Sequence, residues 1–229
     1  MSIAENYECI RERMRRACSR AGRAENDVRL VAVSKYVDVD HIYEVVALGQ
    51  RIFGENHAQE LNEKKTFFEQ NSCQAHFIGQ LQTNKIKYVC GSVGLIESLD
   101  RISLIEPLQK KSVALGIISD VLIQVNIGGE TQKGGIPSKD IGYFAQQILA
   151  CANLRLRGLM CVPPALPPEK ARPYFQKMRV LYEEIRRQYA DAFLDTLSMG
   201  MSHDYEVAIE EGATEVRIGS ALFGARNKQ

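Results

Sequence analysis

The chain has 229 residues with 29 Lys plus Arg against 28 Asp plus Glu, a formal charge of +1, and that balance leaves no electrostatic footprint for nucleic acid or an anionic membrane. Hydrophobic residues make up 45% and charged residues 25%, as in an ordinary soluble protein, and the longest apolar runs fall far short of a membrane span. The expected partner is a small molecule, a monomer is expected, and an N-terminus without the apolar core of a signal peptide points to the cytoplasm.

Ile3, Tyr7, Ile10, Met14 and Ala17 recur at helical spacing up to Gly22, which predicts an amphipathic first helix over 3–22. From Val28 onward, short β-branched runs alternate with longer segments of helical period, the pattern of parallel βα units. Eight strands are expected: Val28–Ser34, Arg51–Gly54, Ala75–Ile78, Val93–Ser98, Asp120–Asn126, Leu154–Met160, Leu194–Ser198 and Thr214–Ile218. Eight strands close a barrel, so the expected fold is α/β, a single (β/α)8 TIM-type barrel with an extra N-terminal helix, one domain over 1–229. The segments at 51, 75 and 194 are short and weakly patterned, which keeps an open doubly wound sheet as the alternative, although no G-x-G-x-x-G follows the first strand. The stretch Val162–Pro168 reads as a stiff loop after a buried strand.

Cys9, Cys18, Cys73, Cys90, Cys151 and Cys161 include no Cys-x-x-Cys pair and no His at zinc-ligand spacing, so they read as reduced thiols without a metal. Cys161 neighbours a functional candidate and is expected to be a packed core thiol.

In such a barrel the C-terminal ends of the strands hold the active site. The polar residues at those ends are Ser34-Lys35, Glu55-Asn56-His57, Asn126, the run Ser198-Met199-Gly200-Met201-Ser202, and Arg217 with Gly219-Ser220; all are expected to converge on one pocket. Lys35 shares strand parity with Val31 and Val33. If those valines line the interior, its amine reaches the upper opening, where desolvation and neighbouring cations favour the nucleophilic form; the competing reading is a solvated lysine at a strand end. Ser198, Gly200 and Ser202 offer hydroxyls and a close backbone, and Gly219-Ser220 opens a short helix with free N–H groups, a combination suited to phosphate. Taken singly, each such loop is more often a turn or a cap. Arg217 should face the pocket with Glu215 while Val216 and Ile218 pack outward. It would then pair with a carboxylate or donate to an acceptor nitrogen on a phosphate-bearing heterocycle. Lysine, phosphate cradle and arginine together describe pyridoxal 5′-phosphate.

The chain resembles the pyridoxal phosphate homeostasis family, the YggS/PROSC group, over essentially its whole length. The resemblance rests on Leu30-Val31-Ala32-Val33-Ser34-Lys35, Phe53-Gly54-Glu55-Asn56 with Gln59-Glu60, the run from His76 through Asn84-Lys85, Gln124-Val125-Asn126-Ile127, Arg157-Gly158-Leu159-Met160, Leu197 through Ser202 with Asp204, and Val216-Arg217-Ile218-Gly219. It implies a barrel like that of fold-type III pyridoxal enzymes such as alanine racemase, with Lys35 carrying the cofactor as a Schiff base. It also implies Arg217 facing the pyridine nitrogen, Asn56 beside the ring, and Ser198, Gly200, Ser202, Gly219 and Ser220 around the phosphate. An arginine at that nitrogen keeps it unprotonated and weakens the ring as an electron sink. Two departures from the family pattern are His57, where a tyrosine is usual, and Gly128-Gly129, where a serine is usual.

Nine residues follow Ser220, so the second domain from which racemases of this type take a catalytic tyrosine is not expected. The expected function is therefore storage and supply of pyridoxal phosphate to apo-pyridoxal enzymes, without a catalytic residue set. A small racemase using His57 or Tyr36 as an extra base is the alternative. A lysine-dependent aldolase shares the barrel, lysine and phosphate site but gives no account of Arg217, and a scaffold that merely carries the ligand stays open. His203 beside the phosphate loop, and His57, are otherwise surface histidines; His76 and Asn84-Lys85 have a structural reading, and Lys133 on its glycine-rich loop is a candidate mobile cation.

Overall fold

A computed structural model describes residues 2–130 and 134–224; Lys133 lies outside the described residues. The elements follow in strict alternation: α1 (Ile3–Arg20), β1 (Arg29–Val33), α2 (Val39–Ala47), β2 (Ile52–Glu55), α3 (Ala58–Gln70), β3 (Gln74–Phe77), α4 (Ile86–Val89), β4 (Leu95–Leu99), α5 (Ile105–Leu115), β5 (Ser119–Val125), α6 (Ile141–Leu149), β6 (Leu154–Cys161), α7 (Pro168–Gln188), β7 (Thr196–Ser198), α8 (Tyr205–Glu210), β8 (Glu215–Ile218) and α9 (Ser220–Phe223). All eight strands are parallel, and β1 is hydrogen-bonded to both β2 and β8, so the sheet is a closed barrel and the open-sheet alternative falls. Among the described residues no helix is long and apolar enough to cross a membrane.

The helix α1 begins at a reciprocal cap, Ser2 Oγ accepting from Glu5 N at 3.2 Å and Glu5 Oε2 accepting from Ser2 N at 2.7 Å. Its buried stripe, Tyr7, Ile10, Met14, Ala17 and Cys18, is the predicted one with Cys18 added and Ile3 only partly buried. Asn6 Nδ2 donates to Leu222 O at 3.0 Å, and Arg13 and Arg20 pair with Glu206 and Glu210, so this extra helix docks over α8 and α9.

Strand alternation divides the core in two. Leu30, Ala32, Phe53, Val216 and Ile218 belong to the apolar layer between sheet and helices, while Leu95, Leu122 and Met160 form a small cluster of their own. Val31 and Val33 face Gly54 across the interior: a Cβ there would stand 3.0 and 3.5 Å from their methyl carbons. The inward parity expected for Lys35 thus holds along its strand.

The weakly patterned strand near 194 is shorter than expected, because Leu194 N turns back to Ala192 O before pairing begins at Thr196. Its partner β6 comes unusually close: Gly158, at φ +146°, is in register with Thr196, and a Cβ on it would lie 1.8 Å from the Thr196 carbonyl oxygen. The Gly158→Ala protein is expected to lose about 3 kcal/mol of stability from backbone strain and this clash, read as a lowered urea midpoint with an unchanged slope.

Candidate functional site

The strand ends of β8, β1 and β2 are adjacent, in the registers Val31↔Arg217 and Val33↔Gly54. Lys35 is half-buried in the turn two residues beyond β1, and Asn56 is half-buried directly after β2. Asn56 Oδ1 is buried without a hydrogen-bond partner, an acceptor of the kind a bound ligand satisfies. The backbone here is tightly apposed to the next loop, since a Cβ on Gly79 would lie 2.1 Å from Asn56 O; this accounts for the glycine in the His76–Lys85 run.

On the other side, Ser202 Oγ accepts from Gly219 N and Ala221 N, each at 3.3 Å, so the hydroxyl already stands where the free amides at the start of α9 point. Gly219 is buried and Ser220 exposed. Gly200 is left-handed at φ +95°. Its carbonyl accepts from Arg217 N at 3.0 Å, and a Cβ on it would lie 2.6 Å from that of Ala208. Lys35, Asn56, Gly200, Ser202, Arg217, Gly219 and Ser220 therefore come from the C-terminal ends of four adjacent strands.

Ser198 is the exception. It is fully buried and still a strand residue; its hydroxyl donates to Glu97 Oε2 at 2.6 Å and accepts from Arg217 Nη1. It belongs to the barrel interior and does not join Ser202. Glu55 is likewise corrected: strand parity turns it outward, towards α3. Asn126 bonds both backbone groups of Glu130 and shapes the loop after β5.

Arg217 is 4% exposed. Besides Ser198 it donates to Cys161 O at 2.8 Å, and its Nη1 lies 3.7 Å from Glu97 Oε2. The two hydrogen bonds engage two of the five donors a guanidinium carries, so the carboxylate contact expected as one alternative does not consume the group. Burial pushes the neighbouring Cys161 thiol up to about 12, as suits a packed, unreactive cysteine.

Beneath Arg217 the interior charges continue. His76 Nδ1 is 3.0 Å from Glu97 Oε1 and 3.5 Å from Glu215 Oε1, and Glu215 Oε2 is 3.3 Å from Arg29 Nε. Burial alone would depress the His76 imidazole, but Glu215 and then Glu97 outweigh it and raise it to about 9. Burial also opposes ionisation of Glu215, yet His76 and Arg29 override it and lower that carboxyl to about 2. Burial and the Glu215 charge push Glu97 up. The three side chains offer atoms within 4.8 Å of one another, a ligand set by residue type; the positive charge among them is supplied by His76 itself and the flanking Arg217 and Arg29.

A second buried cluster lies outside the sheet. Lys64 Nζ, on α3, donates to Ser34 O at 2.7 Å, Glu55 Oε1 at 3.0 Å and Glu60 Oε1 at 2.6 Å. Burial raises Glu55, against the pull of Lys64 and Ser34. Next to it Tyr36, in the left-handed region at φ +60°, places its hydroxyl 2.7 Å from His57 Nε2 at the exposed rim. His203 is exposed, 3.6 Å from Asp204 Oδ2. Lys85 lies over the Tyr88 ring beside Gln59 and Asn62 of α3.

Glu97 and Lys64 were missed by sequence reasoning. A signal existed for Glu97, a carboxylate in the apolar run Leu95-Ile96-Glu97-Ser98-Leu99; Lys64 sits beside Lys65 in a polar helical segment and carries none.

A concavity of about 1170 Å³ opens at the opposite, N-terminal face, lined by Arg29, Arg186, Phe193 and Asp195. Volume does not locate the site, because that face lacks the strand-end convergence and the nearby Arg157 is spent on Asp120 and Asp195.

Residues 3–227 match the family of the alanine racemase N-terminal domain. The pyridoxal phosphate homeostasis protein of Aquifex aeolicus is 47% identical over 227 residues, 99% of each chain. The structure of PipY from Synechococcus elongatus with pyridoxal phosphate (PLP) bound superposes with a TM-score of 0.85 at 31% identity, covering 97% of this chain and all of that one. An alanine racemase from Clostridium difficile shares the fold at 13% identity and a TM-score of 0.66, this chain covering 57% of it.

The interior cluster dictates a pH response. His76 is raised above its ordinary 6.5, so the stability it contributes is complete below that value and is lost as pH climbs through about 9. The thermal stability of the wild type should fall over that window. His76→Gln should start lower, by about 3 kcal/mol because two buried carboxyls lose their cation, and should show a flatter slope there in differential scanning calorimetry.

Proposed function

This chain belongs to the alanine racemase N-terminal domain family, among the pyridoxal phosphate homeostasis proteins, and we propose that it holds PLP covalently on Lys35 and gives it up to apoenzymes. What carries the reading is the gathering of Lys35, Arg217 and the Ser202–Gly219 amides on the neighbouring ends of β1, β7 and β8. The PLP-bound PipY relative supports the choice of ligand.

The residues fit the group. Lys35 supplies an amine, Asn56 an unsatisfied acceptor, and Gly219 N, Ala221 N and Ser202 Oγ a set of donors suited to phosphate oxygens. Bound there, PLP brings a reactive aldehyde and an electron-accepting ring. Arg217 donates only, and its permanent charge beside a ring nitrogen opposes a proton at that atom. It thereby withholds the electron withdrawal on which most pyridoxal chemistry depends, which favours holding over turnover. Ser198 and Cys161 O keep the guanidinium from rotating away. Ser198 thus acts through Arg217 and leaves the phosphate to Ser202, Gly200, Gly219 and Ser220.

A second reading, a small racemase, draws on the Tyr36–His57 pair at 2.7 Å beside Lys35, a candidate proton donor and acceptor. Solvent-deuterium incorporation at the α-carbon of L-amino acids separates the two. Negligible exchange is expected, and fast exchange abolished by Tyr36→Phe would establish the enzyme reading instead.

Borohydride reduction followed by peptide mapping should place the pyridoxyl label on Lys35, and Lys35→Ala should lose the absorbance of the bound cofactor; a label on another lysine in a still-coloured Lys35→Ala protein overturns the assignment. Arg217→Ala should weaken PLP retention about tenfold to a hundredfold, the loss of one charge-assisted hydrogen bond of about 1.5–3 kcal/mol, as measured by equilibrium dialysis. Holo-protein mixed with an apo-pyridoxal enzyme should restore activity faster than PLP dissociates alone.

A further inference from the structure

The strand ladder that fixes β1 ends before Lys35. Ser34 N still donates to Gly54 O at 3.0 Å, but Lys35 and Tyr36 form a turn, and Tyr36 occupies a left-handed conformation that costs a tyrosine about 1–3 kcal/mol. Lys35 thus stands beyond the last hydrogen bond of the ladder. Its two flanking peptide groups are held from outside the sheet instead. The Ser34 carbonyl, in the peptide before Lys35, accepts from Lys64 Nζ at 2.7 Å. The Tyr36 amide, in the peptide after it, donates to Glu60 Oε1 at 2.5 Å. Lys64 joins the two by donating also to Glu60 at 2.6 Å and to Glu55 at 3.0 Å, while Ser34 Oγ donates to the same Glu55 oxygen at 2.6 Å. The three donors of the Lys64 amino group are thereby all used. Lys64 and Glu55 are 6% and 0% exposed, whereas the next lysine, Lys65, lies 3.8 Å from Glu69 on an open surface.

We propose that Lys64, Glu60 and Glu55 form a clamp that positions Lys35, pinning the peptide on either side of it so that its amine is presented at one place in the barrel mouth. The clamp lies behind the sheet and touches no ligand; these are positioning residues. The inference rests on Lys35 as the cofactor lysine. With the clamp released, the turn relaxes towards an unstrained Tyr36 and the amine samples other directions, which slows capture of the aldehyde and shortens the life of the bond.

The test uses Lys64→Met combined with Glu55→Gln, which removes the two buried charges together and leaves only the partly exposed Glu60 carboxylate without its ammonium, and Glu60→Gln, whose side chain is partly exposed and whose change preserves shape. Ile148→Val, in the core beneath α6 on the other side of the barrel, serves as a destabilised control. Two readouts are taken from the full chain: the reactivity of Lys35 with acetic anhydride as a function of pH, relative to Lys65 in the same stripped protein, and the rates of PLP binding and release. The double variant is expected to change relative Lys35 reactivity by about threefold or more and to release PLP about tenfold faster, with Glu60→Gln shifted in the same direction by less; tenfold corresponds to 1.4 kcal/mol. The control should lose thermal stability without either change. Variants that melt earlier yet keep wild-type Lys35 reactivity and release rates overturn the clamp and leave the cluster a packing feature. If the double variant does not fold, Glu60→Gln decides alone by the same readouts. Absence of a pyridoxyl label on Lys35 in the wild type counts against the cofactor assignment, and the anhydride profile still reports on the clamp.

Discussion

An eight-stranded parallel barrel has no free edge and little internal room, so every inward side chain must be apolar or satisfied by another inward side chain. Here the inward positions of β3, β4, β7 and β8 carry His76, Glu97, Ser198, Glu215 and Arg217, linked by hydrogen bonds and ion pairs in a chain from Arg217 through Glu97 and His76 to Glu215 and Arg29, with the Glu215 carboxylate held by charge and without a hydrogen bond. Replacing such a set with packed hydrocarbon is often neutral or stabilising. Its effect here is geometric: the guanidinium at the top has the orientation that the charges beneath and the Cys161 carbonyl permit.

The surface proposed to face the cofactor therefore has two kinds of support. Arg217 is fixed from within the barrel, by groups on other strands. Lys35 is bounded from outside, by α3, through the backbone on either side of it. The loop hydroxyl of Ser202 belongs to neither system; it is bound to amides of the segment entering α9, the least burdened of the contacts and the one most easily exchanged for another oxygen.

Parity made β1 and β8 legible in the sequence. Alternating residues gave the inward Val31 and Val33 and the outward Leu30 and Ala32, while Lys35 falls in the turn beyond the strand, and Val216 and Ile218 fixed the facing of Arg217, because both strands are buried and their inner and outer residues differ in type. Ser198 was assigned to the phosphate because it ends the expected strand at the head of a Ser-x-Gly-x-Ser run, whereas its hydroxyl is claimed by Glu97, 101 residues away. Lys64 lay beyond local reading, and the apolar run around Glu97 marked it without naming its role, for the same reason: each takes its role from a partner brought in by closure of the sheet or by docking of a helix. Short strands such as β7 carry little pattern of their own and are held by neighbours on both sides.

The seam between the first and last strands has a consequence for biosynthesis. Lys35 follows β1, Arg217 lies in β8, and these strands pair directly, Val31 opposite Arg217. A nascent chain exposes the lysine early but cannot build its surroundings until the final strand has left the ribosome and closed the ring, a contact of nearly the greatest sequence separation the chain allows. A chain ending before β8 would carry Lys35 without Arg217 or the Gly219 and Ala221 amides. On the proposed assignment of Lys35, a bound small molecule thus reports that β8 has joined β1 and closed the ring.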